Sequence, residues 1–396
     1  MKESRGRDVF VIMFGFTFFS GSMLIGRHLA DGLSFNEFLI CVAIGGIVLG
    51  LFGGLLAYIS CKTKLNLEGL LIESFGQIGS RVPSLLISIT QIGWYGVGIS
   101  MFAVPVAETL FPGHSTAVYV LIVIFGLIMT ASTFQGLSAI TRLSYIAVPV
   151  IALFGAGIIV YSLSMNSNDS VTHQFGKDIQ IQMIAGIEMV IGSYISGSIT
   201  TPNFTWNATS AKSASFISGM AFFVGNGLMF TFGALSRIIS GGSDIFDLFE
   251  FYHLKLIGVL VLGLNIWSSC DNGLYSASLG FERVTGVRHQ RIMLIAGMVG
   301  TVFSLPLYNH FVDFLSLLNR TLPHVGVIII LSYFFRRFTN GKKQHFANLI
   351  ALVVGATASL ITHFGIPIVN GMLVTVGVFC VFTIVLRHIN LQRKQE

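Results

Sequence analysis

The chain has 396 residues, of which 53% are hydrophobic and only 10% charged, against roughly 25% charged in an ordinary soluble domain. That composition excludes a water-soluble globular enzyme and points to an integral membrane protein. The net charge of +6 does not read as nucleic-acid binding, because the basic residues gather on one side of the apolar spans, the positive-inside pattern.

Stretches of at least 18 apolar residues, each long enough for about 30 Å of hydrocarbon, fall near 9–30, 35–60, 83–110, 117–137, 143–165, 182–202, 213–239, 254–280, 290–306, 311–335, 346–364 and 367–388. Twelve membrane helices are therefore predicted. The first lacks the small-residue cleavage site of a signal peptide and is expected to stay in the membrane. Ser20-Gly21-Ser22 in the middle of the first span recurs as Ser196-Gly197-Ser198 in the middle of the sixth. Small polar breaks in a membrane helix are tolerated where freed backbone groups line a cavity or meet a ligand. Two of them in corresponding spans are the sign of a repeat-built transporter with a midplane site. The plainer reading is that serine and glycine let helices approach closely.

An amino terminus placed inside, with Lys2, Arg5 and Arg7, puts 18 of the 23 Lys and Arg residues on the same side. Arg27, Lys177, Arg237 and Lys255 fall opposite and Arg320 lies within a span, so both termini are expected to be cytoplasmic. The longest hydrophilic stretches, 166–180 and 240–253, are read as surface loops or short amphipathic helices. No nucleotide-binding glycine loop is present, so the energy source is expected to be an ion gradient rather than ATP. Cys41, Cys61, Cys270 and Cys380 have neither disulfide-framework nor zinc spacing, and no cofactor is expected.

In the third span, Gln91 and Trp94 stand three residues apart on one helical face. An indole beside a carboxamide suits a flat heteroaromatic ligand: the ring stacks while the amide reads its edge. Both residues also suit plain helix packing. In the eighth span, Asn265, Ser268 and Ser269 form a stripe at i, i+3, i+4 that offers oxygens to a small hard cation. Hydroxyls can instead bond their own helix at i−4. Asp271 follows, an intramembrane carboxylate that is either paired in a network or coupled to an ion. Glu188, and Asp313 with Arg320 seven residues on, are further intramembrane charges. They read a different substrate, carry a proton, or pair with one another. His28, His114, His289, His345 and His388 lie near span ends and read as interfacial.

The runs Gly15 to Ser20, Thr90 to Pro105, Gly192 to Ser196 and Val261 to Gly286 make the chain resemble the nucleobase–cation symporter (purine-cytosine permease) family. The resemblance extends over about 8–390. It implies an all-α membrane protein of the LeuT-like five-plus-five inverted-repeat fold, with helices 1 and 6 broken and two extra helices. On that pattern residues 9–165 form the first repeat, 182–335 the second, and 346–388 the additional pair. It also implies that Trp94 and Tyr194 sandwich a base, that Gln91 bonds its edge, and that Ser196 and Gly197 add backbone contacts. A sodium ion would lie between helices 1 and 8, held near Phe19 and Ser22, by the backbone oxygen of Asn265 and by the hydroxyls of Ser268 and Ser269.

Two departures stand out. Cys270 occupies the position where cytosine permeases have an asparagine that reads the pyrimidine edge. The family's Asp-Phe-x-Arg stretch is Asn203-Phe204-Thr205-Trp206 here, so an inner ion pair is expected to be missing. The sequence thus predicts a multi-pass protein of the plasma (inner) membrane that imports a nucleobase-like heterocycle, cytosine first, together with Na⁺. The partners are that substrate, the ion and the lipid bilayer, with no nucleic acid and no evident obligate protein partner. Alternatives are a thiamine pyrimidine precursor, a purine or a hydantoin as substrate, H⁺ as coupling ion, or a channel or non-transporting sensor. An enzyme is not expected.

Overall fold

The computed structural model describes residues 4–165, 171–177, 181–336, 341–362 and 364–392. Lys2, Arg337, Arg393 and Lys394, counted above for orientation, and part of the 166–180 loop lie outside them. Every named element among the described residues is helical. Eight helices are long and apolar enough to cross a membrane, and a ninth span arises if the first bent pair is joined. The remaining three positions are taken by helices that are more polar or shorter: Met183–Ile199, Lys255–Thr285 and His289–Val302.

The first span is α1 (Gly6–Thr17) and α2 (Ser20–Gly32), bent by 51°. The break falls at Phe18 and Phe19, whose extended backbones (ψ 94° and 131°) leave the helix. Ser20-Gly21-Ser22 is therefore not the unwound stretch expected but the first turn of α2. Gly21 serves the break from there: a Cβ on it would lie 2.4 Å from Cε1 of the Phe19 ring. Helix α3 (Phe35–Thr63) starts at a capping box in which Ser34 Oγ accepts the Glu37 N–H and the Glu37 carboxylate accepts the Ser34 N–H, satisfying end groups that have no helical partner. The amphipathic α4 (Leu67–Gly79) leads into α5 (Arg81–Leu110), α6 (Ser115–Phe134) and α7 (Leu137–Met165).

The second half repeats the plan. Helix α8 (Met183–Ile199) stops and a four-residue helix α9 (Pro202–Thr205) follows, so this span too is interrupted. Ser196-Gly197-Ser198 forms the last turn before that interruption rather than the interruption itself. A Cβ on Gly197 would lie 2.6 Å from Cε1 of Tyr194. Both motif glycines thus leave room for an aromatic ring folded back on its own helix. Next come α10 (Ala211–Met220), a π turn at Ala221–Gly225, and α11 (Asn226–Ser240). The short α12 (Ile245–Phe251) precedes α13 (Lys255–Thr285), which ends at Gly286 with φ 74°. Then follow α14 (His289–Val302), α15 (Ser304–Asn309), α16 (Phe311–Thr321), α17 (Pro323–Phe334), α18 (Lys342–Ile361) and α19 (Pro367–Gln392).

Lipid supplies no hydrophobic drive between helices, so close contact through small residues holds them. Gly50 and Gly54 of α3 face the carbonyls of Gly219 and Ser215 on α10, at 2.9 and 3.1 Å from where a Cβ would stand. Helices α2 and α11 are tighter still: a Cβ on Gly26 would lie 2.0 Å from Phe230 O, and one on Gly233 1.7 Å from Met23 O. Because those neighbours are backbone atoms, Gly26→Ala and Gly233→Ala should each destabilise by on the order of 1–3 kcal/mol, the cost of overpacking. Gly157→Ala, with nothing within 4 Å of its Cβ position, should be neutral. Thermal unfolding of the purified variants in detergent checks all three.

Candidate functional site

The interrupted helices meet at a cavity lined by Phe16 and Phe19 from the first span, Gln91 and Trp94 from α5, Ser193, Tyr194, Ser196 and Gly197 from α8, and Ser269, Cys270 and Gly273 from α13. All six residues expected to touch substrate (Gln91, Trp94, Tyr194, Ser196, Gly197 and Cys270) are on its walls. Gln91 and Trp94 reach it together because three residues bring an α-helix nearly once around. Gln91 is 2% exposed and its Nε2 has no hydrogen-bond partner. Gly273 lies beside it, and a Cβ there would stand 3.4 Å from Gln91 Oε1, an ordinary contact. An unpaired buried amide donor is costly, and a ligand acceptor would relieve that cost.

The space between the walls, its open side included, is about 350 Å³, yet the centre of a water molecule can move through only about 20 Å³ of it. That is space for one or two waters. A flat ring therefore enters only if the walls part. The Trp94 indole N–H donates to Ser196 Oγ at 3.1 Å, tying α5 to α8 across the cavity. Phe19 stands edge-on to both Trp94 (centroids 5.3 Å, 86°) and Tyr194 (6.2 Å, 67°). Phe311 and Phe314 of α16 pack edge-on against the other side of Trp94 at 5.8 and 5.6 Å. The Tyr194 hydroxyl donates to Phe16 O, joining one interrupted span to the other. Cys270 turns its thiol toward Tyr95 O at 3.7 Å, against Gly98, where a Cβ would lie 2.5 Å from its sulfur.

Beneath this cavity the stripe on α13 meets the end of α1. Ser268 Oγ lies 2.9 Å from Gly15 O and 3.1 Å from Asn265 O. Ser269 Oγ lies 2.8 Å from Phe18 O, 3.2 Å from Asn265 O, and 3.4 Å from Gly15 O and Phe16 O. Each hydroxyl has a single proton, so Ser268 and Ser269 can serve at most two of these four carbonyls while Tyr194 serves Phe16 O, and lone pairs remain on all of them. The result is a cluster of neutral oxygens suited to a hard cation. The first-span carbonyls gathered here belong to Gly15, Phe16 and Phe18, which spacing alone did not single out. Phe19 O instead accepts the Ser22 N–H at 3.0 Å, and Ser22 Oγ is buried without a partner. Asn265 adds its side chain, accepting from Ser20 Oγ at 3.0 Å.

The four intramembrane charges scatter. Asp271 is fully buried but faces α6, accepting from Ser132 Oγ and Thr133 Oγ1, each at 2.8 Å, while Trp267 Nε1 donates to Ser132 Oγ. Asp313 is 87% exposed beside His310 at 3.8 Å, and among the described residues no ion pair joins it to Arg320. Glu188 and Arg320 line a second cavity between α2, α8 and α16. At the Asn203 departure, the carboxamide oxygen accepts the Leu67 N–H at 3.2 Å. Nearby, Ser4 pairs by backbone bonds with Asn207 and Thr209, and Lys64 Nζ donates to Ala208 O at 2.8 Å.

Residues 2–385 match the family of permeases for cytosine/purines, uracil, thiamine and allantoin. The chain belongs to that family. It is 39% identical over 355 residues to the cytosine permease of Escherichia coli K12, covering 90% of this chain and 83% of that one. In fold it is similar to Mhp1, a nucleobase-cation-symport-1 transporter solved closed with bromovinylhydantoin bound, with TM-score 0.80, 17% identity and 97% and 93% of the two chains covered. It is also similar to a Na⁺-coupled sialic acid symporter in a substrate-bound outward-open state, with TM-score 0.71, 16% identity and 97% and 89% covered. The fold is thus the LeuT-like one, and the protein is a multi-pass membrane permease rather than an enzyme.

Trp94→Ala should weaken binding of a flat ring by about 5- to 150-fold, the equivalent of the roughly 1–3 kcal/mol of base–aromatic stacking. Scintillation proximity binding on the purified variant reads that loss, while an unchanged elution profile shows that folding survives.

Proposed function

We propose that this permease imports a nucleobase-like heterocycle, cytosine first, together with Na⁺ by alternating access across the plasma membrane. The observation that carries the reading is the cavity at the interrupted helices, where Trp94, Tyr194 and an unpaired Gln91 amide surround a narrow space. A ring stacked on Trp94 and Tyr194 would present its edge to Gln91 and to the backbone around Ser196 and Gly197. A walled cavity fits occlusion between gates better than a continuous pore. The permease for cytosine at 39% identity supports the substrate class.

For the ion, the cluster of Gly15, Phe16, Phe18, Asn265, Ser268 and Ser269 oxygens is the proposed site, with Phe19 and Ser22 in the adjoining turn. The positive-inside bias places both termini in the cytoplasm, so α1 opens inward and α2 outward. Residues 9–165 and 182–335 act as the two repeats that move against one another around the site, and 346–388 flank them.

Binding energies of ion and substrate must be reciprocal. Sodium should raise substrate affinity by the same factor by which substrate raises sodium affinity, and Ser269→Ala should reduce both. Uptake into proteoliposomes that is unchanged when choline replaces sodium, yet collapses with a protonophore, would replace Na⁺ with H⁺. Asp271, a buried carboxyl held only by hydroxyls, would then be the first carrier to test.

Cys270→Asn separates cytosine from its relatives. A buried polar edge left unpaired costs about 1–3 kcal/mol, so a carboxamide there should strengthen cytosine inhibition of uptake by roughly 5- to 150-fold. No change would mean that Gln91 and the α8 backbone already satisfy the edge. A weaker inhibition would show that the thiol belongs to a tight apolar wall against Gly98, and would move the substrate toward another heterocycle.

A further inference from the structure

The second cavity, about 400 Å³, opens between α2, α8 and α16 and includes Met189, Phe311 and Leu315 beside the polar residues His28, Glu188, Ser316, Asn319 and Arg320. Membrane helices place ionisable residues only where water, a partner or a ligand meets them. Among the described residues no hydrogen bond or ion pair within 4.0 Å reaches the Glu188 carboxylate or the Arg320 guanidinium. Asn319 is 8% exposed and its Oδ1 has no partner. Its Nδ2 sits over Gly192, where a Cβ would come within 2.2 Å, so glycine at that position gives the carboxamide its place. A structural ion pair would have closed up, and an apolar packing site would not carry three such groups.

The two cavities are neighbours. Phe311 lines the second, and its ring packs at 5.8 Å against Trp94, which lines the first. That pair of rings is the partition between them. A carboxylate and a carboxamide oxygen accept N–H groups, a guanidinium fork donates to a carbonyl, and Phe311, Leu315 and Met189 offer apolar faces. The set complements a small planar ring with N–H and C=O on one edge, a cyclic amide or ureide.

We propose that the Glu188–Asn319–Arg320 cavity is a second binding site for the same heterocycle, a staging site from which the ring passes the Phe311–Trp94 partition into the central cavity. This rests on the substrate class proposed above. The cavity's position beside the outer half-helix α2 makes it the earlier of the two on the import path.

Binding stoichiometry of radiolabelled cytosine to the full-length protein in nanodiscs tests it. Wild type should bind two molecules. Trp94→Ala should retain one, and Glu188→Gln/Arg320→Gln should retain one of wild-type affinity while the KM for uptake rises. Each single substitution should weaken the second site by roughly 10- to 150-fold, the value of one charge-assisted hydrogen bond. Glu188→Gln keeps shape and hydrogen-bonding reach, so a folded variant is available even if the double one fails to elute as a single peak. A wild-type stoichiometry of one, abolished by Trp94→Ala and unaltered by Glu188→Gln, overturns the staging site and leaves the central-site reading standing. If wild type binds no cytosine and no competing purine or hydantoin, the substrate class is wrong and the staging site falls with it.

Discussion

A helix interrupted inside hydrocarbon must give its freed backbone groups something to bond, because no water is there to do it. In this permease the carbonyls of Gly15, Phe16 and Phe18 lose their helical partners at the Phe18–Phe19 break, and Ser268 and Ser269 come up against them. The Tyr194 hydroxyl donates to Phe16 O as well, so three hydroxyls meet three carbonyls, each of which keeps a further lone pair. Those neutral lone pairs are what suit the locus to a cation, so the break beside the cavity also gathers the oxygens of the proposed ion site.

The two loci are physically joined. Tyr194 is a wall of the substrate cavity, and its hydroxyl bonds Phe16 O, one of the carbonyls facing Ser269. Gly21 and Gly197 keep the arrangement possible by leaving space for the Phe19 and Tyr194 rings. A side chain that shifts when the cavity fills therefore pulls on an oxygen that would hold the ion. Linkage between ligands needs a shared two-state element, and here Ser269 lines the cavity and faces the carbonyls as well, so the two loci share a residue in addition to the Tyr194–Phe16 bond.

Much of this was readable before any coordinates. Hydropathy placed the spans, the Ser-Gly-Ser echo singled out Ser196 and Gly197, helical periodicity put Gln91 with Trp94 and Asn265 with Ser268 and Ser269, and the resemblance added Tyr194 and Cys270. The breaks themselves were misplaced by a few residues. Serine and glycine advertise a weak helix, whereas Phe18 and Phe19 carry no local signal of extended backbone; the tertiary environment selects it. The carbonyl donors were missed for the same reason, since any residue can supply a backbone oxygen. Asp313 and Arg320 share a helical spacing, but Asp313 stands exposed beside His310 while Arg320 lines a cavity, and periodicity does not report which neighbour a side chain meets.

The oxygen cluster on α1 and α13 carries no formal charge. Stripping a divalent ion such as Ca²⁺ or Mg²⁺ of its water is usually repaid by carboxylates, and none of the six oxygens here is one. Selection against divalent metals would then come from the neutrality of the site rather than from its size.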